Sequence, residues 1–248
     1  MTEYFILSRI PSNKVNDSTG DKLINLTGKY NFILPYNNFI HYNNNGLYEN
    51  NLIEWCKQYG DNTKIFLDIG AHTGTYTINL ANYFKTTIAF EPQRITYYAL
   101  CGSVALSYDS HSNNNIYCLN MGLGSADQVG NEVKLNIISE DGGGSTIQHI
   151  FPTQYNYYKT ESIQIVTLDS LYDKYDLKNI GFIKMDVEGN ELDVLKGATI
   201  TLQNANYPKI LFESNNGTKN IELFSYLSQL GYKTTSIIGY PNMFLAFT

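Results

Sequence analysis

Residues Lys64–Gly74 read KIFLDIGAHTG: an apolar run, an acid at Asp68, then Gly70 and Gly74 four positions apart. A short buried strand that stops at a glycine turn and opens a helix is the start of a nucleotide-binding βαβ unit. The dinucleotide fingerprint Gly-x-Gly-x-x-Gly has a glycine where this chain has Asp68. A carboxylate beside a pyrophosphate is repulsive, by about 1 kcal/mol at contact even in water. The same carboxylate attracts an ammonium. The turn Gly70-Ala71-His72-Thr73-Gly74-Thr75 therefore suits a zwitterionic nucleoside, S-adenosylmethionine (SAM), better than NAD.

The next apolar run, residues 86–90, ends in Glu91-Pro92, 23 residues beyond Asp68. An acid there accepts both hydroxyls of a ribose, in NAD and SAM sites alike. The expected cofactor residues are Asp68, Gly70, Ala71, His72, Gly74, Thr75, Glu91 and Pro92.

Strand and helix patterns alternate over 64–124 and again over 180–231, which predicts an α/β domain with a parallel sheet and helices on both faces. The expected strands are 64–70, 86–92, 115–123, 180–189 and 208–215; the expected helices are 75–84, 95–108, 191–205 and 220–231. Residues 233–248 read as a terminal hairpin turning at Gly239–Asn242. Between 125 and 168 the alternation breaks into strands at 132–138 and 162–168, a Gly142–Thr146 loop and the aromatic connector 151–160. Residues 1–60 are a polar, aromatic-rich elaboration packing on the core and covering the site. Within it, 31–42 reads as short strands and turns and 47–59 as a helix. The catalytic domain is 61–248.

The carboxyl ends of such strands form the ligand edge. They carry Asp68, Glu91, Met121, Asp186 and Glu213. Asp186 and Glu188 lie two apart, on one side of an extended chain. Methyl transfer from SAM to a protonated acceptor needs alignment and a general base. Asp186, Glu188 and Glu213 are the candidate bases, with His72 a fourth, and Asp186 also serves the cofactor. Alternatively Asp186 orders a loop, Glu188 caps a helix and His72 is a rim residue. Three convergent carboxylates can hold Mg²⁺, but their spacing does not call for it, and no metal is expected. Glu49 can fold over the methionine end of the cofactor or be a solvated helix acid. The Gly142–Thr146 amides can cradle a phosphate or be a plain loop. Tyr155, Tyr157 and Tyr158 can stack on sugar rings or simply pack. His41, His111 and His149 read as surface or loop histidines.

The 248 residues are 43% hydrophobic, enough for one large core. The formal net charge of −6 disfavours a nucleic-acid partner. Three cysteines without metal spacing suggest reduced thiols. With no signal peptide and no membrane-length apolar run, a cytoplasmic enzyme is expected and the Asn25 and Asn216 sequons stay bare. Nothing in the sequence speaks to the oligomeric state.

The segments FLDIGAHTGTYTINLA, IAFEPQ, VTLDSLYD, FIKMDVEGNELDVLKGA and PKILFES, with NGLYEN upstream, resemble the FkbM-type methyltransferases, a branch of the class I SAM-dependent fold. The resemblance spans about 46–214, and the IKMDVEG segment is its most specific part. It implies a Rossmann-like, seven-stranded, mostly parallel sheet with an antiparallel C-terminal strand. It also implies O-methylation of a hydroxyl on a sugar, nucleotide-sugar or other small glycan-like acceptor. The chain departs from the pattern at His72-Thr73 and at 120–130, where Met121 and Gly122 are the candidates for the adenine wall. Three other readings stay open: methylation of another small molecule or a nucleic acid, an NAD-binding oxidoreductase, and a non-enzymatic scaffold.

Overall fold

A computed structural model describes residues 2–8, 31–108, 115–215 and 220–248. The Asn25 and Asn216 sequons and His111 lie outside these described residues. Strands β1 (Tyr4–Leu7) and β2 (Phe32–Pro35) pair antiparallel and lead into helices α1 (Tyr36–Asn45) and α2 (Asn50–Cys56). The alternating core begins with β3 (Asp61–Ile69), α3 (Thr75–Leu80), β4 (Phe84–Phe90), α4 (Arg94–Ser107) and β5 (Asn115–Leu119). An interruption follows: β6 (Gly122–Leu123), β7 (Val133–Ile137), β8 (Lys159–Ile163), β9 (Ile165–Val166) and α5 (Tyr172–Tyr175). The core resumes with β10 (Ile180–Met185), α6 (Glu191–Lys196), α7 (Thr199–Asn204), β11 (Lys209–Glu213), α8 (Ile221–Gln229), β12 (Lys233–Ile237) and β13 (Tyr240–Phe247).

Seven strands form one sheet in the order β12-β13-β11-β10-β3-β4-β5. Neighbours from β11 to β5 run parallel; β13 is antiparallel to both β11 and β12. Alternation along β3 divides the core between two faces. Ile65, Leu67 and Ile69 point into a cluster with Val194, Leu195, Leu202, Leu223 and Leu227, from α6, α7 and α8. Phe66 points the other way, to Leu52, Ile53, Tyr76 and Leu80 from α2 and α3. Helices thus cover both faces. The order reverses beside β3, so its carboxyl edge and that of β10 flank the crevice where ligands collect.

Several elements differ from the sequence expectation. Residues 36–45 are a helix, because Asn38 and Tyr42, one turn apart, both bury against the core. The helix at 75 ends at Leu80, and Phe84 opens β4 instead of extending the helical face. The stretch 191–205 breaks between α6 and α7. The Gly197 carbonyl accepts from the Asp169 amide at 2.9 Å, and the Asp169 carboxylate takes the amides of Ile200 and Thr201. The run 115–123 is cut after Leu119, and Gly122–Leu123 pairs with β9. The run 162–168 divides between β8 and β9. The last hairpin turns at 238–239, since Ile237 pairs with Tyr240. Among the described residues no helix is long and apolar enough to cross a membrane.

The N-terminal pair is tied to α4 by side chains. Ser103 Oγ accepts the Ile33 amide at 2.8 Å and donates to the Ala99 carbonyl at 2.7 Å. Asn31 and Ser107 exchange a similar pair of bonds. Ser103 is fully buried. Ser103→Ala orphans the Ile33 amide, and urea unfolding should show a loss of about 1–3 kcal/mol. An unchanged midpoint would mean that β2 is not anchored there.

Candidate active site

The crevice is built around Gly70. Its φ is +79°, and a Cβ there would lie 1.8 Å from the Asp186 carbonyl oxygen. Only glycine lets the turn after β3 pass so close to the end of β10. Gly74 serves differently: at φ +95°, its missing Cβ makes room for Leu100 of α4, so it is a packing residue outside the crevice.

The charged centre is Lys184. It faces Asp68 in the β10–β3 register. Its ammonium lies 3.1 Å from the Gly70 carbonyl, 3.3 Å from Asp186 Oδ2 and 4.0 Å from Asp68 Oδ1, and it is 4% exposed. Burial works against this ammonium, but Asp186 and Asp68 outweigh it and hold the pKa above the usual lysine range. Asp68 is wholly buried and bonds the Thr77 hydroxyl; burial pushes its carboxyl up, against the pull of Lys184. It does not line the crevice. The expectation that Asp68 meets the cofactor directly is therefore corrected: its charge faces Lys184.

Glu91 does line the crevice, at the end of β4. Oε2 accepts the His72 amide and Oε1 the Gln93 amide, each at 2.9 Å. A carboxylate offers about four acceptor positions, so further hydroxyls find room. Burial pushes the Glu91 carboxyl up to about 7, with the two amides pulling the other way.

At the far side, Asp186, Glu188 and Glu213 each bring a carboxylate oxygen within 4.8 Å of the others. For Asp186, burial opposes ionisation, but Lys184 and a hydrogen bond from Glu213 hold it below the usual range. Burial and then the Asp186 charge push Glu213 up to about 9. Glu213 is therefore the protonated member and donates to Asp186. It does not line the crevice, so its candidacy as a base at neutral pH is withdrawn. Glu188 lines it, with φ +51°. Burial and the neighbouring Asp186 push its carboxyl up, while Asn215 donates to Oε2 at 2.7 Å. The three oxygens are a geometrically possible cation cluster.

His72 is a wall strut. Its Nε2–H donates to the Asp141 carbonyl at 2.8 Å, and burial holds the imidazole below its usual pKa, hence neutral. The neutral ring keeps its basic lone pair on Nδ1, 3.4 Å from Thr73 Oγ1. It fastens the 139–146 loop across the crevice, and Thr146 fastens the other end through the Glu188 carbonyl. The loop amides are engaged too. Gly142 donates to Ser139, Gly143 to the Asp141 carboxylate, and Gly144 to Glu188. Those three amides are therefore not free to cradle a phosphate in this conformation.

Ala71, His72, Thr75, Pro92, Met121 and Gly122 all line the crevice. Glu49 does too, and accepts the Tyr76 hydroxyl at 2.8 Å. Tyr155, Tyr157, Tyr158, His41 and His149 do not. His41 instead stacks on Tyr48 and His149 packs against Phe151. Sequence reasoning missed Lys184, Asn38, Tyr42 and the Ile163–Ile165 wall. A charge inside an otherwise buried strand was the available signal for Lys184; for the others there was none.

A model of the Methyltransferase FkbM domain matches residues 68–234. A methyltransferase FkbM structure from Methylobacillus flagellatus KT superposes with a TM-score of 0.52 at 21% identity, covering 75% of this chain. This chain spans 44% of that protein, and the likeness shows the fold alone. The precorrin-6y C5,15-methyltransferase of Geobacter metallireducens GS-15 aligns at 9% identity and TM-score 0.46, over 82% of this chain and 90% of its own. Among curated proteins none matches.

Two outcomes follow from the charge pairing. Lys184→Met leaves buried carboxylates without their cation and should lower the unfolding free energy by about 3–5 kcal/mol in urea titration; a loss below about 1 kcal/mol contradicts the pairing. Glu213 has its folded pKa raised, so its contribution to stability is present below its unfolded value and lost as pH rises towards 9. Glu213→Gln keeps a donor for Asp186 and should flatten the alkaline fall in thermal midpoint; an unaltered fall would place the ionisation elsewhere.

Proposed function

The chain belongs to the FkbM methyltransferase family, and on that premise we propose that it transfers a methyl group from SAM to a hydroxyl of a sugar, nucleotide-sugar or similar glycan-like acceptor. The observation that carries this reading is the pair of carboxylate environments on either side of Gly70. Glu91 keeps acceptor positions for a ribose diol on one side, and Asp186 with Glu188 faces the crevice on the other.

The lining supports a cationic ligand over a diphosphate. Among the described residues it carries the carboxylates of Glu49, Glu91, Asp141, Asp186 and Glu188 against the single ammonium of Lys184. This replaces the argument from Asp68 with one from the whole crevice. An adenine fits the apolar end formed by Pro92, Met121, Gly122, Leu123, Ile163 and Ile165. At Gly122 a Cβ would lie 2.7 Å from Ile165 Cδ1. Glu91 would hold the ribose, and the Gly70 carbonyl with Asp186 would receive the ammonium.

When bound, SAM supplies an electrophilic methyl on a sulfonium, which becomes a neutral thioether as the acceptor oxygen gains the methyl and loses its proton. The protein's share is to align the acceptor and take that proton. Glu188 is suited to this: it lines the crevice, forms no salt bridge among the described residues, and burial raises its basicity. Asp186, held ionised by Lys184 and Glu213, is the weaker base and the better fixed anion. The 139–146 loop is tied to His72 on one side and to the Glu188 carbonyl on the other, and lines the crevice between them. Since its amides are engaged, a neutral hydroxylated moiety suits the acceptor end better than a phosphate.

Tritium-labelled SAM, offered with neutral sugars, nucleotide-sugars and RNA, tests the acceptor class. Label should enter the sugar-bearing acceptors, and Glu188→Gln should lower turnover by roughly 10²–10⁴-fold with S-adenosylhomocysteine (SAH) affinity intact. Label in RNA alone, or an unchanged rate in the variant, overturns the reading.

Ribose hydroxyls donate to the ionised form of Glu91. Below about pH 7 the free protein must lose a proton to bind. Calorimetric SAH affinity should therefore weaken towards acid, by up to about tenfold per pH unit, and Glu91→Gln should bind more weakly but with a flat profile. A flat profile in the wild type removes Glu91 from the site.

A further inference from the structure

Asn38 lies on α1, outside the 68–234 span that the family model matches. It lines the crevice and is 4% exposed, and its Oδ1 has no hydrogen-bond partner among the described residues. A buried amide oxygen without a partner costs free energy that an apolar residue of the same size would not. Packing alone therefore does not account for an asparagine at this position.

The surroundings say which part of the crevice it serves. One helical turn further on, the Tyr42 hydroxyl bonds Thr75 Oγ1 at 2.6 Å, at the end of the glycine turn. The strand that feeds α1 is anchored on α4, the helix that follows Glu91. Helix α1 thus abuts the β3 and β4 side of the crevice. The Asp186, Glu188 and Glu213 cluster ends β10 and β11, on the other side of β3. Through Tyr42 and Thr75, Asn38 is tied to the turn that follows β3, whereas the acceptor carboxylates end β10 and β11.

We infer that Asn38 is a cofactor-binding residue whose amide oxygen accepts a hydrogen bond from a donor on the nucleoside-amino-acid cofactor, its α-ammonium or a ribose hydroxyl. The inference rests on the SAM reading above. It makes α1 part of the binding site as well as its cover. It also explains why a polar side chain is kept at a position one turn from the buried Tyr42.

Calorimetry with SAH and with 5′-methylthioadenosine, which has the ribose but no amino-acid end, tests it on Asn38→Leu. The variant is nearly isosteric and removes an unpaired polar group, so the thermal midpoint of the unliganded protein should hold or rise. SAH affinity should fall roughly tenfold, as for a lost hydrogen bond to a charged or hydroxyl donor. A loss confined to SAH assigns the ammonium; a loss shared by methylthioadenosine assigns the ribose. Unchanged SAH affinity overturns the inference, as does a drop in midpoint with affinity unchanged. If the leucine variant does not fold, Asn38→Ala is read by the same two measurements. Failure of the wild type to bind SAH would sink the SAM reading itself, an outcome distinct from the other results.

Discussion

The buried ammonium of Lys184 is the interaction on which the site depends. The ends of β3 and β10 bring three ionisable groups together, Lys184 and Asp186 with Asp68, in a layer closed to water on the Asp68 side. Without the cation, Asp68 and Asp186 would both be driven towards the neutral form by burial. With it, Asp186 stays ionised at the crevice floor, and the Gly70 carbonyl is held from behind. Asp68 acts one step back: it orients Lys184 and fixes α3 through Thr77.

From this centre the carboxylates take different protonation states with little difference in chemistry. Glu213 meets an ionised neighbour and keeps its proton. Glu188, at the rim, has an amide donor in Asn215 and no salt bridge among the described residues. Glu91 is held by two backbone amides and lies near neutrality. Burial alone would raise all of them; the partner decides which stays charged. That division separates a cofactor side from an acceptor side within one acidic crevice.

Much of this was legible in the chain. The strand ends carrying Glu91, Asp186 and Glu213 are local features, set by apolar runs that stop at a polar residue. The turn at Gly70 was equally plain. What escaped depends on contacts between distant segments. Asp68 reads as a ligand because strand-end acids often are; that it faces Lys184 is a register fact between β3 and β10. Gly74 reads as a turn glycine, yet Leu100 of α4 dictates it. His72 reads as a base alone; that its Nε2–H also ties the Asp141 carbonyl, 69 positions away, into the wall is a contact between distant segments. Helix α1 lacks strong helical residues and forms because Asn38 and Tyr42 bury together. Asn38 could be found only in three dimensions, since its sole signal is a missing partner.

A crystal structure with SAH bound examines the central claim most directly. It should show the ribose hydroxyls on Glu91, the ammonium against the Gly70 carbonyl and Asp186, and Asp68 still buried against Lys184. An amino-acid end lying away from Asp186, or Lys184 withdrawn from Asp68 to meet the ligand, would contradict the claim.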